Sequence, residues 1–241
     1  MVALDGPSSS GKSTVGAEAA RRLRYRFCDT GLLYRAVTWL ALQRGVPATR
    51  IPQLLELVAE VRLEADDRGR YRRVRAAGVD VTAEVRGEVV DAAVSEYARI
   101  AEIRDALVPR QRELVADGSI IMAGRDIGTV ILPDADVKIY LDASAEERAR
   151  RRAAQRGIAG ADVERQILTD LRRRDAIDST RETAPLRTAA DAVVVHSDGL
   201  DFNATVQAVV DVVRGAAAAR VDGLAETRSS RIRTPGGELG R

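Results

Sequence analysis

The chain has 241 residues and a mass of 26.0 kDa, enough for one α/β domain with insertions or for two small domains. Hydrophobic residues make up 45% and charged residues 31%, which excludes a disordered or fibrous protein. No apolar run reaches the ~18 residues of a membrane span, and the N-terminus lacks a signal-peptide pattern. We therefore expect a cytoplasmic protein with no membrane partner.

Charge and the rare residue types exclude further classes. The net charge of +2 and the aromatic content of 3% argue against nucleic acid as a partner. The single cysteine, Cys28, and the single histidine, His196, cannot form an internal disulfide or a Cys/His metal cluster. We expect Cys28 to be a small core residue and His196 to lie at a strand end or in a loop. The only lysines are Lys12 and Lys138, in a chain that otherwise uses arginine.

The first predicted elements alternate between strand and helix. Hydrophobic periodicity predicts strands over 2–4 and 25–28, each followed by a loop and a helix, over 15–23 and 32–43. This alternation favours a parallel sheet covered by helices. Short alternating segments between 61 and 81 predict a small antiparallel insertion.

The later elements continue the pattern. We predict strands and helices in the order helix 88–99, helix 103–116, strand 119–122, strand 137–141, an arginine-rich helical stretch from 145 broken at 157–160, strand 191–195 and helix 202–213. After Gly215 the content of glycine, serine, proline and arginine predicts a frayed, disordered tail over 215–241.

Residues 6–13, GPSSSGKS, match the phosphate-binding pattern GxxxxGK[ST] between a predicted strand and a predicted helix. The glycines let backbone N–H groups face phosphate oxygens, and the helix N-terminus adds positive potential. Lys12 would reach the outer phosphates, and the Ser13 hydroxyl would bind Mg²⁺. The alternative, a ligand-free Gly/Ser turn, is disfavoured by this context. The pattern predicts ATP or GTP binding by Gly6, Pro7, Ser8, Ser9, Ser10, Gly11, Lys12, Ser13 and Thr14.

Several arginines beside predicted turns suggest a second, phosphate-bearing substrate. These are Arg35, Arg125, Arg174 and Arg181, and no NKxD-like guanine-reading segment is present. Arg174, Asp178 and Arg181 share one helix face at spacing i, i+4 and i+7. A solvated face with an ion pair explains that spacing equally well. Arg35 could equally face solvent, and Arg125-Asp126 could be a charged turn with a local ion pair.

Four segments together resemble bacterial cytidylate kinases, the (d)CMP kinase branch of the nucleoside monophosphate kinases. They are LDGPSSSGKST at 4–14, CDTGLLYRAV at 28–37, AGRDIGTVILPDADVKIYLDAS at 123–144 and RRRDAIDSTRETAPL at 172–186. The similarity covers about residues 2–213. It implies an α/β P-loop kinase fold for 1–213, with a five-stranded parallel sheet covered by helices. It also implies a CMP-binding domain that includes the insertion at about 61–81, and a lid at about 148–172.

The resemblance also implies a reaction, transfer of the γ-phosphoryl group of MgATP to CMP or dCMP, by a monomer. The implied catalytic residues are Lys12, Arg125, Arg174 and Arg181. Residues matching those around the acceptor phosphate are Thr30, Arg35, Arg125, Arg174 and Arg181. Those matching the cytosine and ribose contacts are Ser95, Arg104, Asp126 and Asp178, of which Asp178 would contact the ribose.

Three points depart from this pattern or stay open. Cys28 stands where an aliphatic residue is usual, which changes packing only. The arginine-rich lid sequence does not single out the arginine that contacts ATP. Two other functions fit the P-loop, namely a nucleotide switch or regulatory ATPase that binds a protein, and a kinase for UMP or another small phosphate acceptor.

Overall fold

The structure, a computed structural model, describes residues 1–116, 118–157 and 160–232, with side chains described as far as residue 219. Its centre is one sheet. The strands are β1 Val2–Asp5, β2 Arg26–Asp29, β3 Val61–Ala65, β4 Arg70–Ala76, β5 Val79–Asp80, β6 Ile120–Ala123, β7 Val137–Asp142 and β8 Val193–His196. They lie in the order β3-β4-β2-β6-β1-β7-β8, and β5 pairs with β4.

The five strands β2, β6, β1, β7 and β8 are parallel, which confirms the predicted five-stranded parallel sheet. The central strand β1 places Val2 opposite Ile121 on one side and Val137 on the other. Its four residues are all buried, as expected of a parallel strand covered on both faces. Because the carboxyl ends of parallel strands share one edge, the loops after β1, β2 and β6 meet there.

The insertion forms the predicted antiparallel strands, since β4 pairs antiparallel with both β3 and β5. It is not separate from the main sheet, however. Arg70 and Tyr71 of β4 also pair in parallel with Phe27 and Cys28 of β2. The insertion therefore extends the central sheet at the β2 edge.

Helices cover both faces of the sheet. They are α1 Lys12–Leu23, α2 Gly31–Gln43, α3 Ile51–Ala59, α4 Glu88–Ala98, α5 Ala101–Glu113, α6 Ala145–Gln155, α7 Ala161–Thr180 and α8 Phe202–Ile232. Short turns of 3-10 and π helix occupy Glu84–Arg86 and Ile127–Ile131. Helix α3 was not predicted. One core joins α1 and α8 to the sheet, and a second joins α2, α3 and α5 to the insertion.

The C-terminal helix is longer than the sequence predicted. Helix α8 was expected to end at 213 and to be followed by a frayed tail, but it continues to Ile232. Residues 216–219 are four alanines, the best helix formers, which offset the cost of about 1 kcal/mol for Gly215. Residues 233–241 of the predicted disordered tail lie outside the described part. Even with α8, no described helix is long and apolar enough to cross a membrane.

Candidate active site

The loop between β1 and α1 has the backbone that its glycines permit. Gly6 has a φ of +149°, and a Cβ there would lie 2.2 Å from the carbonyl oxygen of Leu141. Gly11, at the start of α1, has a φ of +96°. Both positions require glycine, because a side chain would be strained at either φ and would meet backbone at Gly6. The strand, loop and helix predicted around this motif are confirmed.

Lys12 lies inside this loop. Its Nζ donates to the Pro7 carbonyl oxygen at 2.5 Å and to Ser10 Oγ at 3.3 Å. Burial lowers the pKa of Lys12 well below its ordinary value, and the neighbouring Arg125 lowers this pKa further. The protonated ammonium is therefore short of solvation, which the nearby carboxylates of Asp29, Asp5 and Asp178 offset only in part. A phosphate oxygen would give the ammonium a further hydrogen-bond acceptor and a further negative charge.

Helix α6 contacts the loop between β1 and α1 through two arginines. Arg148 Nη1 donates to the carbonyl oxygen of Ser8 at 3.0 Å, and Arg151 Nη1 to that of Ser10 at 3.5 Å. Arg148 is in turn paired with Asp175 of α7, at 2.7 Å. The sequence did not single out an arginine of this stretch, and the structure places these two in contact with the backbone of the loop.

Ser13 and Asp29 bring two oxygen atoms together beside the loop. Ser13 Oγ donates to Asp29 Oδ2 at 2.5 Å, and Asp29 Oδ1 accepts from the backbone N–H of Gly31 at 3.0 Å. A hydroxyl and a carboxylate are the oxygen ligands that Mg²⁺ prefers. Asp29 was not predicted as a site residue, although its place directly after the predicted strand 25–28 was a usable signal.

Asp126 is held in a buried pair of ionic contacts at the end of β6. It accepts a hydrogen bond from Arg104 Nη2, and Arg181 Nη2 lies 3.5 Å from its other oxygen. The guanidinium of Arg104 also lies over the ring of Tyr34, 5.2 Å from its centre. The sequence had left open a local pair between Asp126 and Arg125. Arg125 instead donates from Nε to Asp178 Oδ2 at 2.9 Å.

Arg174, Asp178 and Arg181 form a buried group at the C-terminal end of α7. Their exposed fractions are 9%, 4% and 5%, which rules out the solvated face that the spacing also allowed. Burial disfavours the charged form of Asp178, but the neighbouring Arg125 holds its pKa below the ordinary value. Asp178 is thus a carboxylate between arginines.

A second carboxylate, Asp91 of α4, connects the remaining arginines. Arg35 of α2 and Arg152 of α6 donate hydrogen bonds to it, and Arg174 Nη1 lies 3.4 Å from its Oδ1. Sequence reasoning missed Asp91. Its spacing of four residues before Ser95 was a usable signal, because it places both residues on one helix face. Ser95 is itself buried there.

Thr30 lies where the predicted turn after β2 begins. Its Oγ1 donates to the carbonyl oxygen of Ala123 at 3.0 Å, and a Cβ on Gly124 would lie 2.9 Å from the same hydroxyl. The turn is therefore fixed against the end of β6, next to Arg125 and Asp126.

Within the described residues, buried guanidinium nitrogens of Arg104, Arg174 and Arg181 have no hydrogen-bond partner. Such donors favour an anionic ligand.

Asp5, the last residue of β1, positions the segment that follows β6. Its carboxylate accepts from the backbone N–H groups of Ile127 at 2.8 Å and Gly128 at 2.7 Å. Burial raises its pKa to about 6, from an ordinary 3.8. Asp5 was not predicted as a functional residue either, because in the sequence it is only the residue that precedes the glycine-rich loop. It fixes the segment that carries Arg125 and Asp126.

The raised pKa of Asp5 predicts a pH-dependent effect of Asp5→Asn. As pH falls, the folded protein takes up this proton before the unfolded chain does, so the wild type gains stability that the variant cannot gain. The unfolding free energy of the wild type minus that of the variant should become more positive from about pH 7.5 to about pH 5, by about 1.4 kcal/mol. Urea denaturation of both proteins at the two pH values measures it. A signed difference that stays constant or becomes more negative contradicts the assignment.

The cysteine and the histidine have the structural roles predicted for them. Cys28 is fully buried in β2, and burial raises the pKa of its thiol. His196 ends β8 and is exposed, with Nδ1 3.6 Å from Asp142.

A parallel sheet with a P-loop after its central strand, and with buried arginines from other elements near that loop, is the architecture of a P-loop kinase. A family model described as cytidylate kinase matches residues 2–215. The chain belongs to the cytidylate kinase family, and it is an enzyme of nucleoside monophosphate phosphorylation.

Individual relatives agree with this assignment over nearly their whole length. The cytidylate kinase of Geobacillus kaustophilus is 44% identical over 214 residues, which cover 88% of this chain and 95% of the relative. That of Mycolicibacterium paratuberculosis is 45% identical over 216 residues, covering 89% and 95%. That of Pseudomonas aeruginosa is 42% identical over 213 residues, covering 87% and 93%.

Proposed function

We propose that the enzyme transfers the γ-phosphoryl group of ATP to CMP or dCMP, releasing ADP and CDP or dCDP. The observation that carries this proposal is the buried carboxylate of Asp126, held by Arg104 and Arg181 and next in sequence to Arg125. Cytosine presents an amino donor at its 4-position, which a carboxylate accepts. Membership of the cytidylate kinase family supports the same acceptor.

The P-loop and α6 form the proposed donor site. Backbone N–H groups of the loop and the ammonium of Lys12 would bind the ATP phosphates, with Arg148 and Arg151 closing over them. Ser13 and Asp29 are the residues that would hold Mg²⁺, which neutralises phosphate charge when it is bound with ATP. Helix α6 begins the proposed lid at about 148–172, of which residues 158 and 159 lie outside the described part.

The acceptor site would use the remaining predicted residues. Arg35, Arg125, Arg174 and Arg181, with Thr30, would surround the phosphate of CMP. Asp178 would contact the ribose, and Asp126, Arg104 and Ser95 would contact cytosine. The insertion at 61–81 belongs to the proposed CMP-binding domain. Its strand β4 pairs with β2, the strand that leads to Thr30 and α2.

The reaction needs no nucleophilic side chain. An oxygen of the acceptor phosphate would attack the γ-phosphorus of ATP, and the bond from that phosphorus to the β–γ bridging oxygen would break. The second ionisation of a phosphate monoester has a pKa near ~6, so the acceptor is already charged at neutral pH. Lys12 and the arginines would align the two polyanions and offset charge in the transition state, and closure of the lid would exclude water.

Product analysis tests this function. With MgATP and CMP, the enzyme should form ADP and CDP in equal amounts, and MgATP alone should give little ADP. A regulatory ATPase or a nucleotide switch would bind or hydrolyse ATP without forming CDP, which would contradict the proposal. We also expect a monomer that does not bind nucleic acid.

Arg181→Ala and Arg35→Ala are expected to weaken CMP binding far more than MgATP binding. Each removes a charged hydrogen-bond donor from the acceptor site, which is worth about 1.5–3 kcal/mol, or at least about tenfold in Kd. Nucleotide titrations on each variant measure this. Arg44→Ala is the control, because Arg44 follows the same helix α2 as Arg35 but pairs at the surface with Glu60.

The arginine variants also test the assignment of the two pockets. Arg44→Ala should bind both nucleotides as the wild type does. A loss of MgATP affinity in Arg181→Ala or Arg35→Ala, with CMP affinity unchanged, would show that donor and acceptor sites have been exchanged.

A further inference from the structure

Asp91 is surrounded by arginines from three different elements. Arg35 of α2 and Arg152 of α6 donate to its two carboxylate oxygens, and Arg174 of α7 lies 3.4 Å away. We propose that the carboxylate of Asp91 occupies the acceptor-phosphate position in the free enzyme and that the phosphate of CMP must displace it. This inference rests on the proposed function, which assigns Arg35 and Arg174 to that phosphate.

The contacts of Asp91 resemble those that bind a phosphate group. Its Oδ1 faces Arg35 and Arg174, while its Oδ2 faces Arg152 and, at 3.7 Å, Arg156. Arginine pairs with carboxylate and with phosphate through the same planar set of donors. A carboxylate that already uses these donors therefore competes with a phosphate for them.

Close-range repulsion and competition for the same donors favour exchange over shared occupancy. The side chain of Asp91 is only 8% exposed, so two anions there would repel each other with little screening by water. Arg35 and Arg174 outweigh the burial penalty and hold the pKa of Asp91 below its ordinary value, which keeps it ionised at neutral pH. A doubly charged phosphate also offsets more of the positive charge of the four arginines than one carboxylate does. The buried Nε of Arg174 also lacks a hydrogen-bond partner within the described residues.

The consequence is a lowered apparent affinity that depends on the phosphate. The apparent affinity is the affinity of the open site multiplied by the fraction of molecules in which that site is free. If Asp91 fills the position in about nine of ten free molecules, CMP binds about tenfold more weakly than the empty site would allow. Cytidine, which lacks the phosphate, does not compete with Asp91. Removing the charge of Asp91 should therefore tighten the binding of CMP and leave the binding of cytidine unchanged.

The test compares CMP and cytidine binding by calorimetry in wild type, Asp91→Asn and Glu88→Gln. Asp91→Asn should tighten CMP binding by about tenfold and leave cytidine within about twofold. Glu88→Gln is the matched control, since Glu88 lies one turn earlier on α4 and contacts Arg156 at 3.2 Å, but is 75% exposed. It should change neither affinity.

Each other outcome has a distinct meaning. CMP affinity that is unchanged or weaker in folded Asp91→Asn, with cytidine unaffected, overturns the inference and makes Asp91 a residue that orients the arginines. A wild type that does not bind CMP refutes the proposed function instead. If the variant does not fold, a crystal structure of the wild type with CMP decides. The inference requires Asp91 to leave Arg35 and Arg174 in that complex, and retention of both contacts overturns it.

Discussion

Lys12→Ala is expected to lower kcat for phosphoryl transfer by roughly 10²- to 10³-fold, or about 3–4 kcal/mol, as found for the loss of one preorganised electrostatic group. The Lys12 ammonium is buried inside the P-loop, where its own partners are the Pro7 carbonyl and Ser10 Oγ. Burial lowers its pKa, so its charge does not stabilise the folded state. Its positive charge is needed where negative charge develops on the transferred group. Steady-state rates with saturating MgATP and CMP measure the loss.

Lys138→Ala is the control for this variant. Lys138 is the only other lysine, lies on β7, and pairs with Asp191 at 2.9 Å. It should keep wild-type kcat, and circular dichroism and thermal unfolding should show that both variants are folded. Near-normal turnover by folded Lys12→Ala would contradict the mechanism.

We expect CMP to exceed UMP in kcat/KM by at least ~100-fold, a difference of roughly 2.7 kcal/mol. Uracil has a carbonyl oxygen where cytosine has its amino group, so UMP would place an acceptor against the carboxylate of Asp126. That carboxylate is buried and charge-paired with Arg104 and Arg181. Sites built around one hydrogen bond reject analogues that cannot make it, because a buried polar group is left unpaired.

Substitutions at Asp126 test which residue reads the base. Asp126→Ala should reduce the CMP to UMP ratio by lowering CMP use most, and Asp126→Asn should reduce it as well, because an amide donates to the uracil oxygen. Asp178→Ala is the comparison, since this buried carboxylate is assigned to the ribose that both nucleotides share. It should lower kcat/KM for both by similar factors. An unchanged ratio in both Asp126 variants would remove Asp126 from cytosine recognition.

The parts of the fold that local sequence determines were predicted well. The β1 to α1 segment combines a short apolar strand, glycines at Gly6 and Gly11 and a helix with regular apolar spacing, so its structure follows from neighbouring residues. The five parallel strands follow from alternation with helices. The burial of Arg174 and Arg181 was left open by spacing alone, and the resemblance favoured a site there.

Long-range pairing could not be predicted. The chain offers 36 acidic residues as partners for its many arginines, and only tertiary structure shows that Asp91 meets Arg35, Arg152 and Arg174. The same holds for Asp5, whose hydrogen-bond donors lie more than a hundred residues away. The parallel pairing of β4 with β2 is a further long-range contact, which the alternating pattern of the insertion does not encode.

The most direct test of the account is an ADP-release assay that compares CMP, dCMP, UMP, AMP and GMP as acceptors under identical MgATP. The account predicts the highest kcat/KM values for CMP and dCMP, with UMP at least ~100-fold below CMP. ADP release that does not depend on the acceptor, or a higher kcat/KM for UMP, AMP or GMP than for CMP and dCMP, would contradict it.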